Sequence, residues 1–326
     1  MTIPNWQRWM GALAAGMALA VPTVHASDWK PAQPVTIVVP ITGSTNDLLA
    51  RLVAPHLEAA LGQPFIVENR PGAGGNIGAD YVVRSKPDGH TLLIGYNGPI
   101  AINTTLFSNL PYDPQADLAP ITLAVRSPQY LVVRADLPVK NFAEFVAYAK
   151  ANPGKLSYAS VAVGSASHLT MEMLKRQAGL DIVHIPYKGA APAMVDLLGG
   201  QVDAAFLVPG NVQQYLADGR LRAIAVSGLE RFASTPDVPT VAESGFPGFN
   251  AVSWIGLLAP AGTPPEAIEA YNREMVRILN TPEVRQRLED IEFTVVASSP
   301  QGFRDWIAEE IPRWGEVIKA TGARVN

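Results

Sequence analysis

Two loops rich in Gly, Ser and Thr carry the groups best suited to hold a small polar ligand. Residues 40–47 run Pro-Ile-Thr-Gly-Ser-Thr-Asn-Asp, and residues 164–168 run Gly-Ser-Ala-Ser-His. Each loop precedes a segment of helical periodicity, so each places hydroxyl groups and free backbone N–H groups at a helix start. Because the helix dipole makes that end positive, such a loop can bind an anion without Lys or Arg. Ordinary helix capping by Ser and Thr accounts for the same residues equally well.

His168, beside Ser165 and Ser167, is the histidine whose surroundings suggest catalysis. A serine hydrolase would also need an oxyanion hole and an acid that orients the imidazole, and the motif supplies neither. We therefore interpret His168 as a residue that opens a helix and fixes its loop, and we predict no catalytic residue and no enzymatic activity. A secreted serine hydrolase that uses Ser165 or Ser167 with His168 is the alternative.

The glycine-rich run at residues 72–78 lies between a predicted strand and a predicted helix, as a dinucleotide-binding loop does. However, Ile77 stands where GxGxxG requires its last glycine, and no acidic residue ends the next strand to hold a ribose. No Walker loop, GxSxG motif or HExxH motif is present, and the chain has no Cys. The sequence therefore predicts no cofactor and no metal site, and a glycine turn between strand and helix explains the run.

The composition limits the class of protein and its partners. With 326 residues, 48% of them hydrophobic and 17% charged, the chain is long enough for about two domains, each with its own core. The net charge of −4 supplies no basic field, so neither nucleic acid nor an anionic membrane is expected as a partner. The lack of Cys excludes a disulfide scaffold and a thiol nucleophile.

Residues 1–26 have the pattern of a cleavable secretory signal. Arg8 gives a positive start, residues 9–21 are apolar, and Val-His-Ala at residues 24–26 supplies a small-residue cleavage site before Ser27. The apolar run of about 13 residues is short of the roughly 20 that a membrane span needs. We therefore predict export to the periplasm, with an uncleaved anchor as the alternative.

The rest of the chain alternates short apolar strands with helix-period segments, a pattern typical of α/β folds. The predicted strands cover residues 35–39, 65–67, 92–94, 156–163, 182–185, 202–208 and 222–226. The predicted helices cover residues 47–61, 76–86, 142–151, 168–177, 191–198, 264–279 and 301–321. Both halves follow one order, in which a buried strand leads through a Gly/Ser/Thr loop into a helix.

Two extended, Pro-flanked segments at residues 121–134 and 249–260 separate the blocks. We interpret them as two crossings between a split domain 1 (27–127 plus 250–326) and an inserted domain 2 (128–249). In open α/β sheets, ligands bind beyond the carboxyl ends of the strands, where both loops lie. One loop from each domain and two crossings therefore predict a cleft that closes on a small carboxylate.

Several blocks occur in the order typical of one family: residues 61–78, 86–92, 164–169, 185–189, 197–203, 237–243 and 258–264. Over about residues 29–322 the chain resembles the tripartite tricarboxylate transporter receptors, the Bug-type (TctC-type) periplasmic solute-binding proteins. The resemblance implies a two-domain Venus-flytrap fold, type II-like, that acts as a monomer and closes on a small organic carboxylate. It also implies a membrane permease with one large and one small subunit as partner; a sensor that recognises the closed form is the other possibility.

The resemblance also implies a set of ligand-contacting residues. In relatives, the loop before the first helix and the Gly-Ser…His loop of the other domain pinch a ligand carboxylate, partly through ordered water. Carried over to this sequence, the first-domain positions are Ile41, Thr42, Ser44, Thr45 and Asp47. The second-domain positions are Ser165, Ala166, Ser167 and His168, and the residues that approach the same cleft are Tyr187, Gly189, Ala190 and Ala191, with Tyr96 and Asn97 as further candidates.

Two departures from the family pattern bear on the ligand. Relatives usually carry a Pro-aromatic start and two glycines before the Asp of the first loop, with one more residue than here, so the loop geometry at residues 40–47 differs. Many relatives also have an acidic residue after the Phe of the Val-Asp-x-x-Phe strand, whereas here Phe206 is followed by Leu207 and Val208. We therefore expect a more apolar distal pocket that favours an aliphatic or aromatic acid over an amino acid.

Overall fold

The computed structural model describes residues 29–322 and 324–325, so the predicted signal at residues 1–26 lies outside the described residues. In chain order the strands are β1 (Val35–Val39), β2 (Phe65–Asn69), β3 (Thr91–Tyr96), β4 (Leu118–Pro128), β5 (Tyr130–Arg134), β6 (Ser157–Ser160), β7 (Val183–Pro186), β8 (Ala204–Leu207), β9 (Leu221–Val226), β10 (Val252–Pro260) and β11 (Thr294–Val295). The helices are α1 (Thr45–Leu61), α2 (Asn76–Val83), α3 (Asn103–Leu106), α4 (Pro114–Asp117), α5 (Phe142–Ala151), α6 (Ala166–Ala178), α7 (Ala190–Leu198), α8 (Pro209–Ala217), α9 (Pro265–Leu279), α10 (Pro282–Glu289) and α11 (Pro300–Thr321). Within this part of the chain no helix is long and apolar enough to cross a membrane.

Two mixed sheets organise these elements into two lobes. Within the described residues, the first sheet has six strands in the order β11-β4-β10-β3-β1-β2, and the second has five in the order β7-β6-β8-β5-β9. In the first sheet β1 pairs parallel with β2 and β3, and β10 runs antiparallel between β3 and β4. In the second sheet β6 is parallel to β7 and β8, and β5 is antiparallel to β8 and β9. The predicted two-domain α/β fold is thereby confirmed.

Apolar side chains on both faces of β1 explain why it is an interior strand. Val35, Ile37 and Val39 belong to a buried cluster with residues of α1 and α9, whereas Val38 belongs to the cluster on the opposite face. A strand buried on both faces needs a nearly continuous apolar run, and in β1 only Thr36 interrupts it. Gly62, with φ of 78°, ends α1 in the left-handed conformation that glycine adopts without strain.

The chain passes between the lobes at two places, and one serine joins them. Gln129 is the single residue between β4 and β5 on the outward passage. The Ser227 N–H donates to Gln129 O at 2.8 Å, and the Ser227 hydroxyl donates to Ala251 O at 2.6 Å just before β10. The two passages therefore lie side by side, within the segments 121–134 and 249–260 that the sequence marks as extended.

Four helices and several boundaries differ from the sequence-based prediction. The periodicity does not predict α3, α4, α8 or α10, because each has nine residues or fewer, and all but α3 begin at a Pro that the pattern marks as a break. Strand β6 ends at Ser160 rather than at residue 163, since the chain turns there toward α6. Helix α6 begins at Ala166 instead of at residue 168, so Ser165 occupies the N-cap position.

The two lobes touch along the cleft between them. Gln213 Nε2 of α8 donates to Asp290 O, which follows α10, at 3.0 Å. A Cβ atom placed on Gly189, just before α7, would lie 2.7 Å from Thr42 O, so these two loops meet backbone to backbone. The cleft is therefore narrow, and residues of both lobes face the same enclosed space.

Candidate ligand-binding site

A small chamber of about 60 Å³ lies in the cleft, and we call it the inner chamber. Its polar lining residues come from both lobes and are Ser44, Thr45, Asn46, Asn97, Gln129, Ser165, Ser167, Asn211 and Ser253. Its apolar and aromatic lining residues are Ile41, Tyr96, Val161, Ala166, Ala190, Phe206, Leu207, Val208, Trp254, Ile255 and Phe293. No Lys, Arg, His, Asp or Glu side chain of the described residues lines it.

The first turn of α1 presents unpaired polar groups to the inner chamber. Ser44 is the N-cap residue, but its side chain makes no capping hydrogen bond. The Ser44 hydroxyl and Asn46 Nδ2 are buried and have no hydrogen-bond partner in the described part of the chain. The N–H groups of Thr45 and Asn46 belong to the first turn and lack intrahelical acceptors. This end of α1 therefore offers several donors to a ligand.

The start of α6 faces the same space from the other lobe. The Ser165 hydroxyl donates to Ala162 O at 2.7 Å and accepts from the His168 N–H at 3.3 Å. The Ser167 hydroxyl accepts from the Val161 N–H at 3.1 Å and lies 2.9 Å from the Ser165 hydroxyl. Since the Ser165 proton is donated to a carbonyl, the hydrogen bond between the two hydroxyls is donated by Ser167, and both hydroxyl protons already have acceptors. The first-turn N–H groups of Ala166 and Ser167 lack intrahelical acceptors, as at α1.

Two further helices begin at the inner chamber. Ala190, the first residue of α7, lines it, and so do Val208 and Asn211 at the start of α8. The positive ends of α1, α6, α7 and α8 are therefore directed at one space. Since no cationic side chain of the described residues lines the inner chamber, backbone N–H groups and helix dipoles supply its attraction for an anion.

Most sequence-predicted site residues meet at the inner chamber. Those that line it are Ile41, Ser44, Thr45, Tyr96, Asn97, Ser165, Ala166, Ser167, Ala190 and Leu207. Thr42 and Gly189 form the backbone contact between the lobes, and Ala191 lies beside Gly43 of the same loop. Tyr187 lines a neighbouring cavity, and its hydroxyl donates to Asp196 at 2.6 Å. Burial, together with Asp196, raises the pKa of Tyr187 to about 12.

Asp47 does not line the inner chamber. Its carboxylate accepts from Arg51 Nε at 2.9 Å and from Asn69 Nδ2 at 2.8 Å. Burial raises the pKa of the Asp47 carboxyl, but the hydrogen bonds from Arg51 and Asn69 outweigh burial, so the net pKa is lowered. Asp47 therefore ties α1 to the end of β2, and its charge is neutralised by Arg51.

His168 also does not line the inner chamber. Its Nδ1 accepts from the Gly164 N–H at 3.3 Å, and its ring stacks on that of His184 with centroids 4.1 Å apart. The Ser165 and Ser167 hydroxyls bond to each other and to backbone groups instead of to the imidazole. The His168 imidazole therefore pairs with neither Ser165 nor Ser167, and through Gly164 it fixes the loop before α6.

Several lining residues escape the sequence analysis, and many of them lie on the crossings. They are Asn46, Gln129, Val161, Asn211, Ser253, Trp254, Ile255 and Phe293. Gln129 is buried, donates to the Ser253 hydroxyl at 2.8 Å, and keeps Oε1 without a partner among the described residues. The available signal was the predicted crossing itself, because residues that connect two lobes must border the cleft between them.

A buried carboxylate holds the floor of the inner chamber in place. Glu310 of α11 is 2% exposed, and its Oε2 accepts from Trp254 Nε1 at 2.7 Å and from Trp314 Nε1 at 2.9 Å. Asn97 Nδ2 donates to the same oxygen at 3.2 Å, while Arg313 pairs with the other oxygen at 2.8 Å. Because Asn97 and Trp254 both line the inner chamber, Glu310 positions its floor from behind.

Comparison with known proteins identifies the family. Residues 49–323 match the family model described as "Tripartite tricarboxylate transporter family receptor". The chain belongs to this family. It is 37% identical to the protein BugT of Bordetella pertussis over 97% of each chain, and 35% identical to a UPF0065 protein of Pseudomonas sp. (strain P51) over 93% of this chain and 92% of the relative.

Solved structures of receptors resemble the chain over most of its length. R. palustris Rpa4515 with adipate has a TM-score of 0.87 and 37% identity, covering 90% of this chain and 99% of that one. MatC (Rpa3494) from Rhodopseudomonas palustris with bound malate has a TM-score of 0.84 and 36% identity, covering 88% and 99%. The family consists of periplasmic solute-binding receptors, which implies export. The chain is therefore a binding protein and not an enzyme, as the sequence predicts.

The stacked histidines predict a loss of stability in mild acid. Burial, and secondarily the charge of Lys175, lowers the pKa of His168 to about 4, and burial with the neighbouring His168 lowers that of His184 to about 3. An unfolded histidine titrates near about 6.5. Between these values the unfolded chain binds protons that the folded chain does not, so the free energy of unfolding falls as the pH is lowered. From this pair we expect a decrease of about 2–4 kcal/mol between pH 7 and about 4.5, after discounting for partial solvent screening.

Urea unfolding at several pH values measures this effect. His184→Gln removes one member of the stack, so its free energy of unfolding should decrease less steeply with acid than that of the unmodified protein. His56→Gln, on the outer side of α1 and far from the stack, serves as the control and should keep the original slope. If the free energy of unfolding decreased equally steeply with acid in all three proteins, the stacked histidines would not be the cause of the decrease.

Glu310→Gln should destabilise the fold and loosen the floor of the inner chamber. The amide oxygen can accept from the two indole N–H groups but not also from Asn97 Nδ2, and the amide NH2 then faces Arg313, which loses its counter-ion. We expect a loss of about 2–3 kcal/mol in the free energy of unfolding, together with a changed near-UV signal from Trp254. Glu309→Gln, at the exposed neighbouring position, should change neither. Equal stability of the two variants would show that the buried charge is dispensable.

Proposed function

We propose that this receptor captures a small organic carboxylate in the inner chamber, with the carboxylate held by the first turns of α1 and α6. The observation that carries the proposal is the convergence of helix starts from both lobes on a chamber that no charged side chain of the described residues lines. Charge-assisted hydrogen bonds from such donors contribute about 1.5–3 kcal/mol each, so a few give micromolar affinity. The bound adipate and malate of the similar receptors support the same ligand class.

The walls of the inner chamber favour an aliphatic or aromatic acid over an amino acid. Phe206, Leu207 and Val208 supply apolar surface where many relatives carry an acidic residue. An ammonium group would have to shed water without gaining a carboxylate partner, since no Asp or Glu of the described residues lines the chamber. Gln129 Oε1 and Asn46 Nδ2 remain available for a hydroxyl or a second oxygen of the ligand.

In the proposed function, the receptor captures its ligand by closing two domains on it. The proposed domains are residues 27–127 with 250–326, and residues 128–249, joined at the two passages beside Ser227. A ligand that bridges α1 and α6 collects all of its contacts only when the domains are closed, so binding stabilises the closed form. The closed, monomeric receptor, exported through a cleaved signal at residues 1–26, then delivers its ligand to a permease of one large and one small subunit; delivery to a sensor is the second candidate role.

A thermal-shift and calorimetry screen of the mature protein tests the ligand class. A ligand present at 100 times its Kd adds about 2.7 kcal/mol to the free energy of unfolding. Aliphatic and aromatic carboxylates should raise Tm and give saturable heats, whereas glutamate and aspartate should not. Binding of those two amino acids alone would refute the apolar-acid assignment, and turnover of ester substrates that is lost in Ser167→Ala would revive the hydrolase interpretation.

Gly164→Ala tests whether the closed form is the one that binds. Gly164 (φ 75°) and Gly179 (φ 63°) share the left-handed conformation, so alanine costs each about 1 kcal/mol of stability. A Cβ on Gly164 would collide with Asn103 Oδ1 of the other lobe, whereas a Cβ on Gly179 would meet nothing within 4 Å. Affinity for the best acid should therefore fall at least about tenfold in Gly164→Ala and stay unchanged in Gly179→Ala. Equal affinities of the two variants, measured by calorimetry, would show that binding does not require closure.

A further inference from the structure

A second and larger cavity adjoins the inner chamber, and we call it the outer chamber. It has a volume of about 630 Å³, against about 60 Å³ for the inner chamber. Ile41, Tyr96 and Val161 line both, so the two spaces meet at these side chains. Tyr96 is fixed at this junction because its hydroxyl donates to Gly74 O at 3.0 Å. The cleft therefore continues beyond the helix starts.

The inner chamber is too small for more than the head of a ligand. At about 10–15 Å³ for each water-sized group, its volume admits only about four to six such groups, roughly a carboxylate and its nearest carbons. Any larger acid held by the starts of α1 and α6 must place the rest of its atoms elsewhere. Ile41, Tyr96 and Val161 border both chambers, so the outer chamber is the adjoining space in which these atoms can lie.

The outer chamber has the chemistry of an apolar pocket. Its walls include Pro71 and Phe107 of the first lobe, and Ala162, Val163 and Pro186 of the second. Lys188 is the charged residue in its lining, and it lies exposed to solvent, where its attraction for a distal anion is screened. Apolar contact, in contrast, strengthens binding by about fourfold for each buried methylene. The walls therefore select for an apolar body.

We infer that the outer chamber is the subsite for the apolar body of the ligand, and that the receptor takes a carboxylate bearing a medium-length alkyl chain or an aromatic ring. This inference rests on the proposed function, because the inner chamber must hold the carboxylate. The body contacts walls from both lobes, so it adds to the closure that the carboxylate begins. A short acid fills the inner chamber alone and binds weakly.

A chain-length series measures the subsite directly. Calorimetry or competition with acetate, butanoate, hexanoate, octanoate and phenylacetate should show Kd falling by about fourfold per methylene from butanoate onward. Affinity that stops rising at butanoate, with phenylacetate no better, would overturn the inference while leaving the proposed function intact. Failure of every acid in the series to bind would instead overturn the proposed function, and the inference with it.

A filled outer chamber provides the second test. Ala162→Phe places a ring in the outer chamber, so the affinity for hexanoate, octanoate and phenylacetate should fall at least about tenfold. The affinity for acetate should stay unchanged. Retained acetate binding shows that the variant folds and closes. Ala151→Phe, an exposed position at the end of α5 that lines neither chamber, is the matched control and should match the unmodified protein throughout. Unchanged affinity for the longer acids in Ala162→Phe would place their bodies elsewhere.

Discussion

Backbone N–H groups in the first turn of a helix need acceptors that the helix itself does not contain, and this need dominates the cleft. Helices α1, α6, α7 and α8 all begin there, with their positive ends toward one small space. At α1 the cap is left open, since neither Ser44 nor Asn46 satisfies its side-chain donor within the described residues. The carboxylate that we propose as ligand would accept hydrogen bonds from these donors, and because the donors belong to both lobes, it would join the lobes.

Hydrogen bonds behind and beside the cleft hold the floor of the inner chamber and the two passages of the chain in place. Glu310 holds Asn97 and Trp254 from behind, and its charge is balanced by Arg313 instead of being directed at the ligand. Ser227 ties the two passages together through Gln129 and Ala251. A buried carboxylate is costly unless it is fully bonded. Here the bonds make it a fixed support for a site that otherwise consists of backbone and neutral side chains.

The sequence predicts the layers of this fold well and the directions of side chains poorly. Apolar strands followed by Gly/Ser/Thr loops mark the positions where α1 and α6 begin, because strand and helix periods are local properties. Helix α8 escapes because it is short and starts at a proline. Gln129 and Trp254 escape because an extended crossing has no period that shows which side chains border the other lobe.

Asp47 and His168 are the converse case, because the sequence analysis placed them at the site and the structure does not. Both stand next to the loops that form the inner chamber, and the family resemblance names both as ligand contacts. In the structure Asp47 turns to Arg51, one helical turn away, and to Asn69. The His168 ring stacks on that of His184, which lies on strand β7 and is brought near only by the tertiary fold. The Arg51 pairing was visible in the i, i+4 spacing, whereas the histidine stack was not.

Recognition of a carboxylate by the main chain, as we propose it, has an evolutionary consequence. Every sequence that forms these helices supplies the same N–H groups, so substitutions in the walls leave the hold on the carboxylate untouched. Wall residues such as Leu207 of the inner chamber and Phe107 of the outer chamber can therefore diverge after gene duplication without an intermediate that has lost its ligand altogether. Proteins with this fold can therefore change their ligand specificity by single substitutions in the walls of the cleft.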